Sequence, residues 1–366
     1  MTVDGFRVLA EYLATTNRAL RPLPPEREAE DSRLYMVKPL GETLVRRVES
    51  GVWRFTTVAV DGSTRKLAGP HFSAYLVGVA VYGLGERAVS FMPGELGRRF
   101  LALRAPREVL RRVEQDRRLD FVVVRRTDRT YLDEDCDCTD EDIFDEVRIR
   151  AESKALLRVA EQGGGDLVVV DGPVYLDHWA KTRLLNIRMS AVERLRRAGF
   201  AVVGVVKRVS KSRKLCTPEA LTALSLRIDR HYCNDAYATL RATPEHGIYL
   251  VGPFHLGYAG RDIRGYLFPD KVFWYVSVYG SAFRVEMLAE DFRRLGGMAE
   301  ETAAWLAWTV TGRGIPYVID VVDFHARRLT AGLLIALRAA VKSRGVSLTY
   351  ESEAEFLNAL RDYAGA

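Results

Sequence analysis

The sequence predicts an α/β fold, a mixed sheet flanked by helices, with further helical elements at the N-terminus and in an insertion. Three observations predict it. Short β-branched runs, TTVAV (56–60), LVVV (167–170) and AVVGVV (201–206), alternate with stretches whose apolar residues recur at helical spacing. Two of these runs lead into Asp-Gly, at Asp61-Gly62 and Asp171-Gly172. Between them Ile143, Val147, Ala151, Ala155 and Val159 step by four along one stripe, and Glu152 lies on its border.

The first 50 residues read as an N-terminal helical extension, two helices broken at RPLPP (21–25), with Leu44, Val45 and Val48 closing the second. Residues 51–366 then form one domain. WRFTTVAVDGS reads as a strand ending on Asp61, and FSAYLVGVAVYG as its hairpin partner. An insertion spans about residues 85–146: 95–118 is Arg-rich and expected to be helical, and LDFVVVRR is a third strand or an excursion from it. The acidic DEDCDCTDEDIFDEV reads as solvated chain entering a helix, because Thr139 and Asp142 have capping-box spacing. GGGDLVVVDGPVYL supplies a turn and a buried strand ending on Asp171; TRLLNIRMSAVERLRRAG is amphipathic. FAVVGVVKRVSKSRKL is a buried strand with a basic exit. Residues 211–295 combine a helical stretch, PEALTALSLRIDRHY, with a hairpin, FWYVSVYGSAFRVEML, turning at Gly280-Ser281. The helix ETAAWLAWTV, the turn GRGIPY, a short strand VIDVV and a final helix from about Phe324 close the chain. This order is that of a ribonuclease-H-like fold, in which the first and fourth strands are neighbours and their carboxylates converge.

Composition sets the bounds. The 366 residues are 48% hydrophobic and carry net charge +6, which permits a polyanionic partner without demanding one. No apolar run reaches the roughly 18 residues of a membrane span, and the charged N-terminus does not resemble a signal peptide, so a cytoplasmic protein is expected. The four cysteines, Cys136, Cys138, Cys216 and Cys233, fit neither a disulfide framework nor zinc knuckles and are expected to be reduced and unliganded. Only Asn17, Asn186, Asn234, Asn358, Gln115 and Gln162 carry amides, a depletion that points to a hot-growing source.

Carboxylates at strand ends can hold a divalent ion for phosphodiester hydrolysis. Hard oxygen ligands suit Mg²⁺ or Mn²⁺, and an added imidazole shifts preference towards Mn²⁺. Asp-Gly after a strand is also an ordinary turn signature, Glu152 alone is a solvated helix residue, and His325 alone is a packing or capping histidine. Lys207, at the end of a buried strand, either meets a phosphate as a point charge or snorkels to solvent. Arg208, Lys211, Arg213 and Lys214 can track a nucleic-acid backbone without reading sequence.

The chain resembles the NurA nucleases. The resemblance is carried by AVDGS (59–63), AESKAL (151–156), LVVVDGPVYL (167–176), VVGVVKRVSKSRKL (202–215) and GIPYVIDVVDFHARRL (314–329). It implies Asp61, Glu152, Asp171 and His325 as ligands of a catalytic Mn²⁺, with Mg²⁺ as the alternative, and Tyr317 completing the site. It further implies a homodimer that combines 5′-to-3′ exonuclease with single-strand endonuclease activity on DNA. Such enzymes work with the hexameric ATPase HerA in end resection for recombinational repair. A motor partner is consistent with the lack of a GxxxxGK[ST] segment. Two rivals stand beside this expectation: a non-catalytic nucleic-acid-binding or assembly subunit that retains the fold, and an RNA-directed nuclease of the same fold.

Overall fold

The computed structural model describes residues 35–52, 55–83, 89–91, 101–119, 122–123, 139–176, 182–258, 262–263 and 266–365. The helices expected before residue 35, Cys136 with Cys138, and much of the insertion lie outside the described residues.

The chain begins with β1 (Tyr35–Pro39), β2 (Val45–Arg47), β3 (Thr57–Gly69), β4 (Phe72–Tyr82), β5 (Val89–Phe91) and β6 (Leu101–Arg104). Helix α1 (Arg107–Gln115), β7 (Val122–Val123), α2 (Asp140–Gln162), β8 (Leu167–Asp171), α3 (Thr182–Arg197) and β9 (Ala201–Val206) follow. Next come α4 (Pro218–Ala223), α5 (Asp235–Ala242), β10 (Ile248–Tyr258), β11 (Asp262–Ile263), β12 (Tyr266–Leu267), β13 (Lys271–Val278) and β14 (Ser281–Leu288). Helices α6 (Ala289–Leu295), α7 (Gly297–Trp308), α8 (Tyr317–Lys342) and α9 (Tyr350–Ala364) close it.

Among the described residues twelve strands form one mixed sheet in the order β1-β10-β13-β14-β9-β8-β3-β4-β6-β7, with β2 also on β10 and β5 on β4. Its centre is ribonuclease-H-like: β3, β4 and β6 run antiparallel, β8 lies parallel to β3, and β9 parallel to β8. Alternation along the strands sends side chains to two cores. Val58, Val60, Val168 and Val170 pack with Ile143, Val147 and Leu156 of α2 and Leu195 of α3. Ala59, Val169 and Val203 pack on the other face with Leu306 of α7 and Ile319, Val322 and Ala326 of α8. Burying each larger apolar side chain contributes about 1.5–3 kcal/mol, and this holds α2 and α8 on opposite faces of the same strands.

Several expectations are corrected. Residues 35–47 are not helical: β1 and β2 pair with β10, and the β-branched Val37 and Val45 serve a long-range ladder that local periodicity does not reveal. Asp61 does not end its strand; β3 runs on to Gly69, and the hairpin turns at Pro70-His71. The polar STRK segment (63–66) stays in the sheet, where α8 and α9 cover β3. Among the described residues of 95–118, Leu101–Arg104 is a strand and Arg107–Gln115 the α-helix. The later hairpin turns at Tyr279-Gly280, one residue earlier than expected, with φ of 45° and 84°. VIDVV is helical: Val318, Ile319, Val322, Ala326 and Thr330 are buried at the spacing of one helix stripe, which outweighs their β-branched content. Finally, Cys216 and Cys233 are joined in a disulfide, with Cα atoms 5.8 Å apart. Each borders a 3-10 turn, and the fold brings these turns together, which spacing alone could not show.

Candidate metal centre

Val60 lies opposite Val170 in the parallel pair, so Asp61 and Asp171 are adjacent, and the two-residue period points both to the α8 face. Helix α8 crosses that face and brings a third carboxylate, Asp323. One oxygen from each of Asp61, Asp171 and Asp323 lies within 4.8 Å of the others. Asp61 is buried and the other two are half-buried. Octahedral coordination at about 2.1 Å spans oxygens up to roughly 4.2 Å apart, so small side-chain adjustments would close this all-oxygen set around Mg²⁺ or Mn²⁺.

Strand β8 stops at Asp171 because Gly172 takes φ of 101° and is followed by Pro173. The turn is anchored from below. Gly172 N donates to Val205 O (2.8 Å), Val174 N to Glu286 Oε1 (3.1 Å), and Lys271 Nζ to Tyr175 O (3.0 Å) and Glu286 Oε1 (2.7 Å). A Cβ at position 204 would lie 2.7 Å from both Gly172 O and Val174 N, so glycine there lets β9 approach the turn.

The carboxylates differ in their partners. Asp171 Oδ2 accepts from Lys207 Nζ at 2.5 Å, and the same ammonium is 3.9 Å from Asp323 Oδ1. Asp323 Oδ2 is held by Arg313 at 2.8 Å and Arg327 at 3.2 Å, while Arg313 also pairs with Asp320. Among the described residues Asp61 has no ion-pair partner. Burial, then Asp171, Glu152 and Asp323, push its carboxyl well above the usual range against the opposing pull of Lys207. For Lys207 burial works to lower the pKa, but Asp171, Asp323 and Asp61 together outweigh it and raise it.

Glu152 approaches from the opposite face of the sheet and is almost wholly buried. Its Oε2 accepts from Arg188, whereas Oε1 is buried without a hydrogen-bond partner, 3.6 Å from Arg148 Nη1. Position 62 is glycine for this reason and not for a turn: a Cβ there would fall 2.8 Å from Glu152 Oε1.

Tyr317 and His325 are not in the carboxylate group. His325 is two residues beyond Asp323, about 200° round the helix, with its ring edge-on to Phe324. Tyr317 opens α8, edge-on to Tyr82. Both line a groove of about 500 Å³ together with Arg313, Asp320, Phe324 and Arg327. Sequence reasoning missed Asp323. The signal was an acid on the last helix, hidden because VIDVV was read as a strand. Of the basic exit, Arg208 and Lys211 are exposed, and half-buried Arg213 donates to Arg230 O. Lys214 is buried over the Tyr35 ring, 5.3 Å from its centroid, and cannot track a backbone.

Among curated proteins none matches this chain. Among solved structures, that of the NurA nuclease from Sulfolobus solfataricus is 10% identical with TM-score 0.47, covering 94% of this chain and 99% of its own. A crystal structure of NurA with manganese is 8% identical with TM-score 0.36, covering 91% and 98%. The family model of the NurA domain matches residues 55–328, a span that includes Asp61, Glu152, Asp171, Lys207 and Asp323. With most of its length matched in this way, the chain belongs to the NurA domain family.

Proposed function

We propose that the chain is a divalent-metal-dependent DNA nuclease. The convergence of Asp61, Asp171 and Asp323 within 4.8 Å at the end of β8 carries this reading. Family membership supports the hydrolase assignment. Asp61, Asp171 and Asp323 would hold the ion, and Glu152 Oε1, buried without a hydrogen bond, borders the same strand position from the other face. When bound, a divalent ion would supply Lewis-acid polarisation of the phosphate and the means of activating water at neutral pH. With His325 outside the carboxylate group, the imidazole argument for Mn²⁺ over Mg²⁺ falls away, and either ion suits the donors.

The chain's own residues divide the remaining work. Arg313 and Arg327 fix one oxygen of Asp323 and leave the other facing Lys207, while Arg188 fixes one oxygen of Glu152 and Arg148 stands 3.6 Å from the other. Because Arg313 and Arg327 also line the groove containing Tyr317 and His325, the substrate strand is assigned to that groove. Arg208 and Lys211 extend positive charge from Lys207 along the surface. The finer reading combines 5′-to-3′ exonuclease with single-strand endonuclease action, in a homodimer that works with a HerA-type ATPase in end resection. Among the described residues no helix is long and apolar enough to cross a membrane.

Single-stranded and duplex DNA labelled at either end, and matched RNA, should be incubated with Mn²⁺, Mg²⁺ or EDTA. Metal-dependent DNA cleavage releasing the 5′ label first is expected. Binding without cleavage in either metal would show a non-catalytic subunit, and preferential RNA cleavage would reassign the substrate.

A further inference from the structure

The cations around the four carboxylates are of two kinds. Asp323 and Glu152 are each held by arginines, Asp323 by Arg313 and Arg327 and Glu152 by Arg188. Asp171 is held by a lysine, and Asp61 has no ion-pair partner among the described residues. The difference matters because a guanidinium is a rigid fork that binds in one arrangement, whereas an ammonium is a compact charge on a flexible stem and can swing away. Lys207 is also the cation placed among the ligands. Its Nζ lies 2.5 Å from Asp171 Oδ2 and 3.9 Å from Asp323 Oδ1, oxygens of two of the three groups that converge. It extends from the residue after β9, two positions beyond Val205, which pairs with Asp171, and so reaches back over the end of the sheet.

We propose that Lys207 is a tethered stand-in for the divalent ion, occupying the cleft between Asp171 and Asp323 until the entering ion displaces it. This rests on the metal-site reading above and adds a competition to it. The ion then gains its carboxylates only by breaking the Lys207–Asp171 pair, and the released ammonium stays beside the site, free to meet a phosphate oxygen. Lys207 thereby lowers the affinity of the empty protein for the ion while adding positive charge for the substrate.

Calorimetric titration of Mn²⁺, and of Ca²⁺ as a second ion, into wild type, Lys207→Met and Lys207→Arg tests this without reference to cleavage. Lys207→Met should bind about tenfold tighter or more, since no ammonium need be displaced, and Lys207→Arg should bind no tighter than wild type. Equal or weaker binding by Lys207→Met overturns the competition while leaving the metal site intact. Absence of ion binding in all three proteins overturns the metal reading itself. A second measurement uses wild type alone. Reductive methylation followed by mass spectrometry should label Lys207 several-fold faster with Ca²⁺ than in EDTA, because displacement exposes the amine. Unchanged or slower labelling contradicts the proposal.

Discussion

Glu152 Oε1 occupies the space where a side chain at Gly62 would begin, 2.8 Å from an ideal Cβ, with Glu152 Cγ at 3.0 Å. Gly62→Ala must therefore displace the Glu152 carboxylate or push β3 away from α2. Overpacking of this kind costs about 1–3 kcal/mol. Cleavage should fall at least tenfold, and adding Glu152→Ala to Gly62→Ala should cost little more, since both changes act on one contact. Fully additive losses in the double variant would separate the two residues.

Asp61 gives a prediction with a definite sign. Its carboxyl is pushed well above the usual carboxylate range by burial and by Asp171, Glu152 and Asp323. The folded protein thus holds this proton more tightly than the unfolded chain does. The stability contributed by the group is complete below the unfolded pKa and is lost as pH rises through the folded one. In EDTA, Asp61→Asn should melt higher than wild type at pH 8, the gap should narrow as pH falls towards 4, and cleavage should be absent. Identical melting temperatures across that range would show that Asp61 bears no such strain.

Asp323 and His325 make opposite predictions for the ion. Asp323→Ala should raise the Mn²⁺ concentration for half-maximal cleavage and weaken ion binding, since it removes one of three converging carboxylates. His325→Ala should leave the Mn²⁺ titration unchanged and raise KM for DNA, because its ring lines the neighbouring groove. The reverse pattern would return His325 to the ligand set. It would also restore the imidazole argument for Mn²⁺.

The parts legible in the sequence were those decided locally. β8 and β9 announce themselves as short β-branched runs and α2 by its period, and Thr139 with Asp142 does form the capping box that starts α2. Asp61 and Asp171 were found from their Asp-Gly settings, although at Gly62 the glycine answers to Glu152 and not to a turn. What stayed hidden depends on distant partners. Nothing in KSRKL distinguishes exposed Lys211 from buried Lys214, because the aromatic ring over Lys214 comes from β1. Asp323 was obscured by dense β-branched residues whose helical state is set by packing of α8 on β3 and β4.

The Cys216–Cys233 disulfide joins residues 17 apart in sequence, in segments that flank α4. Constraining a loop of this size in the unfolded chain contributes about 3 kcal/mol. Replacing both cysteines with serine should lower the melting temperature by a few degrees, and reductant should lower that of wild type but not of the variant. Reductant-insensitive melting of wild type would mean that the bond does not form in solution.

The basic exit divides into two predictions that test the substrate assignment. Arg208 and Lys211 are exposed, one and four residues beyond Lys207, and the proposed path of the strand runs over them. Replacing both with alanine should weaken single-stranded DNA binding for all sequences alike. It should also flatten the plot of log affinity against log salt by about 0.7 per lost phosphate contact. Lys214 must behave differently although it lies in the same run, because its ammonium is buried over Tyr35. Lys214→Ala should lower the melting temperature and leave the salt slope untouched, since a side chain that does not reach solvent releases no counterion from DNA. Parallel binding and melting measurements on both variants check the division. A flattened slope for Lys214→Ala, or an unchanged slope for the Arg208/Lys211 pair, would place the path of the strand elsewhere on the molecule.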